Sequence, residues 1–94
     1  MILFSADARD DIVRLRSFLD QANSGAAQRA MALIFTAIER LQDFPERGHR
    51  TKDADIRQIV IRFGSSGYVV RYAIVPETKD LLITRLWHAR ETRP

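Results

Sequence analysis

The apolar positions change their period once along the chain. Between residues 8 and 41 they recur at steps of three and four, and between 56 and 88 they crowd into three short runs rich in β-branched side chains. The first regime predicts two helices. Ala8, Ile12, Leu15, Leu19 and Ala22 make one helical stripe, Phe18 widens it, and Arg9, Arg14, Arg16 and Asp20 fall off it toward water. Ser5 stands where an N-cap belongs, with Asp7, Asp10 and Asp11 in the first turns, where carboxylates meet the positive end of the helix dipole. Asn23-Ser24-Gly25 interrupts the pattern, and Ser24 is the expected cap of a second helix striped by Ala27, Ala30, Ile34, Ile38 and Leu41. Met31, Leu33, Phe35 and Ala37 make this second helix apolar on more than one side, so it is either the more buried of the two or keeps a face for a partner. Phe44-Pro45 ends it, because a residue before proline is pushed out of the helical region. With about three residues between them, the helices should form an antiparallel hairpin.

The second regime predicts strands. Ile56–Phe63, Tyr68–Val75 and Leu81–His88 are separated by Gly64-Ser65-Ser66-Gly67 and by residues 76–80, gaps of hairpin length, which gives a three-strand antiparallel meander. Strict alternation sets Ile59, Ile61 and Phe63 on one face with Arg57, and splits the last strand into Leu81, Ile83, Arg85 and Trp87 against Leu82, Thr84, Leu86 and His88. Neither face is purely polar. One must take the helices, and the other carries more apolar surface than a solvated face needs. Ile2-Leu3-Phe4 is too short to stand alone and is expected as a further strand on this sheet. Residues 46–55 are polar and aperiodic and are expected as a loop from helix to sheet. The fold class is α+β: one domain over residues 1–94, with a short N-terminal strand, a helix hairpin on one sheet face, and a meander.

Charge sharpens the picture. Residues 1–49 hold seven Asp and Glu against six Lys and Arg, whereas residues 50–94 hold nine Lys and Arg against five acids, within a net charge of +3. The sheet half is the basic half, suited to an anionic partner, either nucleic acid or an acidic protein segment. Arginine recurs in every strand: Arg57 and Arg62, Arg71, then Arg85, with Arg90 just beyond. A 94-residue chain buries only about two thirds of its unfolded surface, so help from a partner is expected. There is no cysteine, hence no disulfide framework or thiolate metal site, which fits a reducing cytoplasm. No signal-peptide pattern or membrane-length apolar run occurs.

Chemistry has few places to sit. The sequence lacks a Cys/His metal cluster, a nucleophile elbow, a phosphate-binding glycine loop and a zincin motif, so no metal or cofactor is expected. Ser65-Ser66 reads as turn chemistry. His88, with Arg85, Arg90 and Glu91 around it, is the one cluster suited to acid–base work. RNA cleavage would need such a proton carrier beside cations that hold a phosphodiester. The plain alternative is a histidine at a strand end bonded to a carbonyl. Trp87 reads as core or partner contact, and Arg57 and Arg71 as structural cations paired with helix carboxylates, or as partner contacts.

Five short motifs occur in a recognisable order: F-S-x-x-A-x-x-D from Phe4 to Asp11, L-x-x-F-P-x-x-G from Leu41 to Gly48, I-R-x-I from Ile56 to Ile59, G-Y-V-V-R-Y from Gly67 to Tyr72, and L-W-H-A-R-E from Leu86 to Glu91. In this order and over nearly its whole length the chain resembles the RelE/ParE superfamily of bacterial type II toxins. The resemblance implies a small cytoplasmic toxin, neutralised by a co-encoded antitoxin whose acidic segment wraps it. It also implies one of two activities: ribosome-dependent mRNA cleavage in the RelE-like branch, or poisoning of DNA gyrase without nuclease activity in the ParE-like branch. Of the RelE-like polar set, Arg62 and Arg90 match two positions. Val69 stands where an arginine is expected, and the terminal tyrosine has no counterpart before Pro94, with His88 only a loose substitute. The closing W-H-A-R-E looks more like the ParE-like branch. The expected effector surface is Arg85, Trp87, His88 and Arg90 with the tail; for a nuclease it would be Arg62, His88 and Arg90. Arg57, Arg71 and Tyr72 are expected to be structural or to touch the antitoxin. A folded, antitoxin-bound but inactive relic is a third possibility.

Overall fold

A computed structural model of the chain describes residues 1–91; Thr92-Arg93-Pro94, the tail included in the expected effector surface, lies outside the described residues. The elements run β1 (Ile2–Phe4), α1 (Ala6–Ala22), α2 (Ser24–Arg40), a 3-10 turn (Pro45–Arg47), β2 (His49–Arg50), β3 (Arg57–Phe63), β4 (Ser66–Ile74) and β5 (Leu81–His88). The five strands form one sheet in the order β1-β5-β4-β3-β2. β3, β4 and β5 make the expected antiparallel meander, and β1 joins it as expected, parallel to β5 with Ile2 beside Leu81 and Phe4 beside Ile83. The helix hairpin covers one face. Ala8 and Leu15 of α1, with Ala30, Met31, Ile34 and Ile38 of α2, bury against Ile61, Tyr68, Val70, Tyr72, Leu81, Ile83 and Leu86.

Ser5 caps α1 as predicted: its Oγ accepts from the Ala8 N–H at 3.0 Å and donates to the Thr84 carbonyl at 3.1 Å, tying helix to sheet. The cap of α2 differs from expectation. Asn23, not Ser24, accepts from the Ala26 N–H at 2.9 Å, and this one extended residue is the whole connection between the helices. Asn and Ser are equally good caps, so the sequence could not separate neighbours. The stretch expected as a loop, residues 46–55, also holds structure: the end of the 3-10 turn, and β2, which pairs His49 with Gln58 and Arg50 with Arg57. A two-residue strand has no period to detect.

The largest correction concerns the faces of β5. Arg85 pairs with Arg71 but Ile83 pairs with Tyr72, so Thr84 is an extra residue in β5, and its hydroxyl donates to the Arg71 carbonyl at 3.1 Å. This bulge shifts the alternation by one. Leu81 and Ile83 face the core before it, and Leu86 and His88 face the core after it, all at 5% exposure or less. The open face therefore receives Thr84, Arg85 and Trp87. The β3–β4 turn is a two-residue hairpin, Gly64-Ser65, with Gly64 at φ +61° in the first position, the backbone a side chain resists.

Three of the short motifs meet in one fastening. The Tyr72 hydroxyl donates to the Pro45 carbonyl at 2.7 Å and accepts from the buried Gly48 N–H at 2.9 Å. Arg57 Nη1 donates to the Glu46 and Gly48 carbonyls at 3.1 and 3.0 Å. Arg57 is thus a structural cation, as expected, but it holds backbone carbonyls rather than a helix carboxylate. A Cβ on Gly48 would stand 2.5 Å from the Tyr72 oxygen, so the approach needs glycine. The phenol is held above its ordinary pKa, chiefly by burial, with the Gly48 N–H and Arg57 pulling the other way. Tyr72→Phe should cost about 1–3 kcal/mol, because a buried N–H loses its acceptor. Urea unfolding should show a lower midpoint with unchanged slope, and a midpoint equal to wild type would mean that the fastening does not bear on stability.

Candidate functional site

The edge of β5 beyond β1 is answered by side chains of α1. Asp11 is 1% exposed, and its Oδ2 accepts from the Leu86 N–H at 2.9 Å. Arg14 Nη2 donates to the Leu86 carbonyl at 3.0 Å. Arg85 folds over the same edge and donates from Nε and Nη2 to the two Asp11 oxygens at 2.9 and 3.2 Å. Arg14 pairs with Asp11 through Nη1 and reaches Glu91 Oε2 from Nε at 2.8 Å. Burial alone would raise the Asp11 pKa, but Arg85, the Leu86 N–H and Arg14 together hold it below the usual carboxylate value. In the sequence Asp11 stands with Asp7 and Asp10 in the first turns of the helix, where the dipole alone accounts for a carboxylate; its place at the end of the F-S-x-x-A-x-x-D motif is the one signal of something more.

His88 sits behind this network. It is 5% exposed, with its ring centroid 5.1 Å from Tyr68 and 5.3 Å from Phe18. Nδ1 accepts from the Arg90 N–H at 3.0 Å, and Nε2 lies 2.8 Å from Ser66 Oγ. An N–H aimed at Nδ1 requires a lone pair there, so neutral His88 carries its proton on Nε2 and donates it to Ser66. Burial first, then Arg90, push its pKa below 6.5, against Glu91. The backbone N–H of His88 donates to Glu91 Oε1 at 2.7 Å, so the turn after β5 closes on the histidine from both sides.

The cations divide into two groups. Arg71 lies with its guanidinium 5.0 Å over the Trp87 ring and donates to Gln58 Oε1 at 3.0 Å. Trp87 is 7% exposed on the open face. Arg71 and Arg85 line a hollow of about 540 Å³ with His49, Arg50 and Lys52. Arg62 and Arg90 make no ion pair among the described residues and share a second hollow, of about 300 Å³, with Val60, Ser65 and Ser66 at the hairpin end. The structure thus brings Arg62 and Arg90 together and keeps His88 in the core beneath them. Trp87 and Arg85 stand on the open face, with Arg85 turned to Asp11. Among the described residues no group of three or more His, Cys, Asp or Glu could hold a metal ion, and no helix is long and apolar enough to cross a membrane. The exposed cations can hold an anion; the described residues lining the smaller hollow offer them only hydroxyls and backbone as company.

Two titrations should be visible. Folded His88 has the lower pKa, so the unfolded chain takes up the proton first; the stability that neutral His88 contributes is complete above about pH 6.5 and is lost as pH falls below it. Thermal unfolding should show a lower melting temperature at pH 5.5 than at 7.5. His88→Asn, which keeps an acceptor for Arg90 but does not titrate, should start lower and lose this slope; an unchanged slope would place the titration elsewhere. Asp11 contributes above its unfolded pKa and fails only in stronger acid, below about pH 4. At pH 7 Asp11→Asn should destabilise by about 1–3 kcal/mol, the partly exposed arginines limiting the loss, while Asp10→Asn should stay within roughly 0.5 kcal/mol.

Residues 2–93 match the family model described as the ParE toxin of the type II toxin–antitoxin system, parDE. Three curated relatives come from Caulobacter vibrioides. Toxin RelE1 is 36% identical over 92 residues, covering 98% of this chain and 96% of the relative, and Toxin RelE3 is 35% identical over 86 residues, covering 92% and 90%. Toxin RelE2 is 31% identical over 88 residues, covering 94% and 93%. Among solved structures, the chromosomal ParDE system from P. aeruginosa superposes with a TM-score of 0.69 over 93% of this chain and 92% of that one, at 13% identity, which supports the shared fold. The chain belongs to the ParE toxin family of type II toxin–antitoxin systems.

Proposed function

We propose that this toxin acts by binding and poisoning DNA gyrase, and that it does not cut RNA. The observation that carries this reading is the state of His88. RNA cleavage at neutral pH calls for a group that can take a proton from the 2′-hydroxyl in reach of the phosphodiester. His88 is buried, gives its Nδ1 lone pair to the Arg90 N–H, and has its pKa pushed down. The exposed part of the predicted polar set is Arg62 and Arg90, which suits recognition of an anionic or acidic surface without chemistry. Of the other residues expected on the effector surface, Arg85 is turned to Asp11 and Trp87 is 7% exposed, so Arg62 and Arg90 carry the free charge. The ParE description of the family model favours the same branch.

Ribosome-dependent mRNA cleavage is the second reading. It is favoured by the RelE names of the relatives and by the shared hollow of Arg62 and Arg90 beside Ser66. One experiment separates the two: purified toxin with gyrase and plasmid DNA, and in parallel with ribosomes translating a defined mRNA. Gyrase-dependent linear DNA with intact mRNA is the expected result. Arg90→Ala should weaken the gyrase effect by about tenfold or more, as for a binding arginine at the centre of a contact, with the melting temperature unchanged. Cut mRNA with normal supercoiling would overturn the proposal.

A further inference from the structure

Three backbone N–H groups follow β5, and each has a different partner. The Ala89 N–H donates to the Gly67 carbonyl at 2.9 Å, and the Glu91 N–H donates to the His88 carbonyl at 2.8 Å. The Arg90 N–H donates to His88 Nδ1 at 3.0 Å. Only the last of these acceptors can change its protonation state. The ring that supplies it is held in place. Its Nε2 lies 2.8 Å from Ser66 Oγ in β4, and Phe18 of α1 and Tyr68 of β4 pack against it. Two charged side chains bear on it, Arg90 and Glu91, and Glu91 is itself paired with Arg14 of α1. The Tyr68 phenol stays neutral where a histidine titrates, because burial holds its pKa above the ordinary value. Ser66 and Arg90 line the hollow of about 300 Å³ that Arg62 shares. The buried ring thus reaches the effector surface through one backbone hydrogen bond.

We propose that His88 is a positioning residue for Arg90, and that protonation of its ring releases Arg90 and weakens the toxin's hold on gyrase. The inference rests on the gyrase reading and adds the regulation of that surface. The neutral ring, with its proton on Nε2, accepts from the Arg90 N–H and donates to Ser66. The imidazolium carries an N–H on both nitrogens. Ser66 is still answered, but the Arg90 N–H then meets a donor head-on. The proton comes from solvent to Nδ1, and no covalent bond is exchanged. The Ala89 and Glu91 bonds are made to carbonyls and survive, so the change is confined to the peptide that carries the Arg90 side chain. A guanidinium on an unfixed base must be ordered at the moment of binding, and that cost is taken from affinity. Burial and Arg90 resist the charge on the ring while Glu91 favours it, so release sets in below about pH 6.5.

Nitrogen-15 NMR of the purified wild-type toxin reads the latch directly. At pH 7.5 the His88 ring should be the Nε2–H tautomer. As pH falls, the Arg90 amide should shift with the same midpoint as the ring, and the Ala89 and Glu91 amides should shift less. Two variants separate positioning from packing. His88→Asn places its oxygen where Nδ1 accepts from Arg90, whereas His88→Gln reaches toward Ser66 and leaves the Arg90 N–H unanswered. In calorimetric titration with gyrase, wild-type toxin should bind about threefold or more weakly at pH 5.5 than at pH 7.5, and His88→Asn should lose this ratio. At pH 7.5 His88→Gln should bind about threefold or more weakly than His88→Asn, with both variants folded at the assay temperature. Equal wild-type affinity at the two pH values would overturn the regulation. An Arg90 amide that ignores the ring titration, in a toxin that binds gyrase, would overturn the latch and leave the target reading standing. Coupled titration in a toxin that binds no gyrase would support the latch and overturn the target reading, and with it the regulatory half of the proposal.

Discussion

A β-sheet ends in two rows of backbone donors and acceptors, and each row must be answered by protein, water or a partner. This constraint governs how the chain is laid out. At the β5 edge the answer is built in: a three-residue parallel strand, then a capping serine, then a carboxylate and a guanidinium one helical turn apart on α1. The spacing of Asp11 and Arg14 puts both on the same helix face, so one takes the Leu86 N–H and the other gives to its carbonyl. Side chains here continue the ladder that β1 starts. The carboxylate is deeply buried, and such a charge is tolerable only because two guanidiniums and an amide surround it.

The same device closes the chain on itself. Arg14 lies 77 residues from Glu91, and the pair joins the first helix to the turn after the last strand. That turn is held from inside by His88, whose ring takes the Arg90 N–H while its backbone N–H goes to Glu91. The parallel β1–β5 pairing is equally remote in sequence. Contacts of this range pay loop-closure entropy before they reward it, so the N-terminal strand and the C-terminal turn should join a meander already formed. The meander, with tight connections and local pairing, is the natural nucleus.

Much of the architecture was legible because long elements repeat. The 17-residue helices and the seven- to nine-residue strands each offer several cycles of their period, and Ser5 and Gly64 mark their boundaries by well-defined chemistry. What escaped had no cycle to show. β2 is two residues long. The bulge at Thr84 is a single insertion, yet it moved every later residue of β5 to the opposite face and sent His88, the leading acid–base candidate, into the core. Asp11 looked like any acid of a first helical turn, since neither the edge it answers nor the arginines that reach it can be seen in a local window. The short motifs carried more of this than periodicity did: Asp11 closes one, and Gly48, Arg57 and Tyr72 come from three others that meet at one fastening.

An arginine on every strand first suggested a surface built for a partner, but most of those arginines are committed. Arg57 holds carbonyls, Arg85 and Arg14 hold Asp11, and Arg71 lies over Trp87 against Gln58. Function is better sought where cations stand without carboxylates, and those places lie at one end of the molecule. A hollow of about 270 Å³ between α2 and β3, lined by Leu33, Ala37, Arg40 and Arg47, and the hollow shared by Arg62 and Arg90 have Val60 and Arg62 in common as walls.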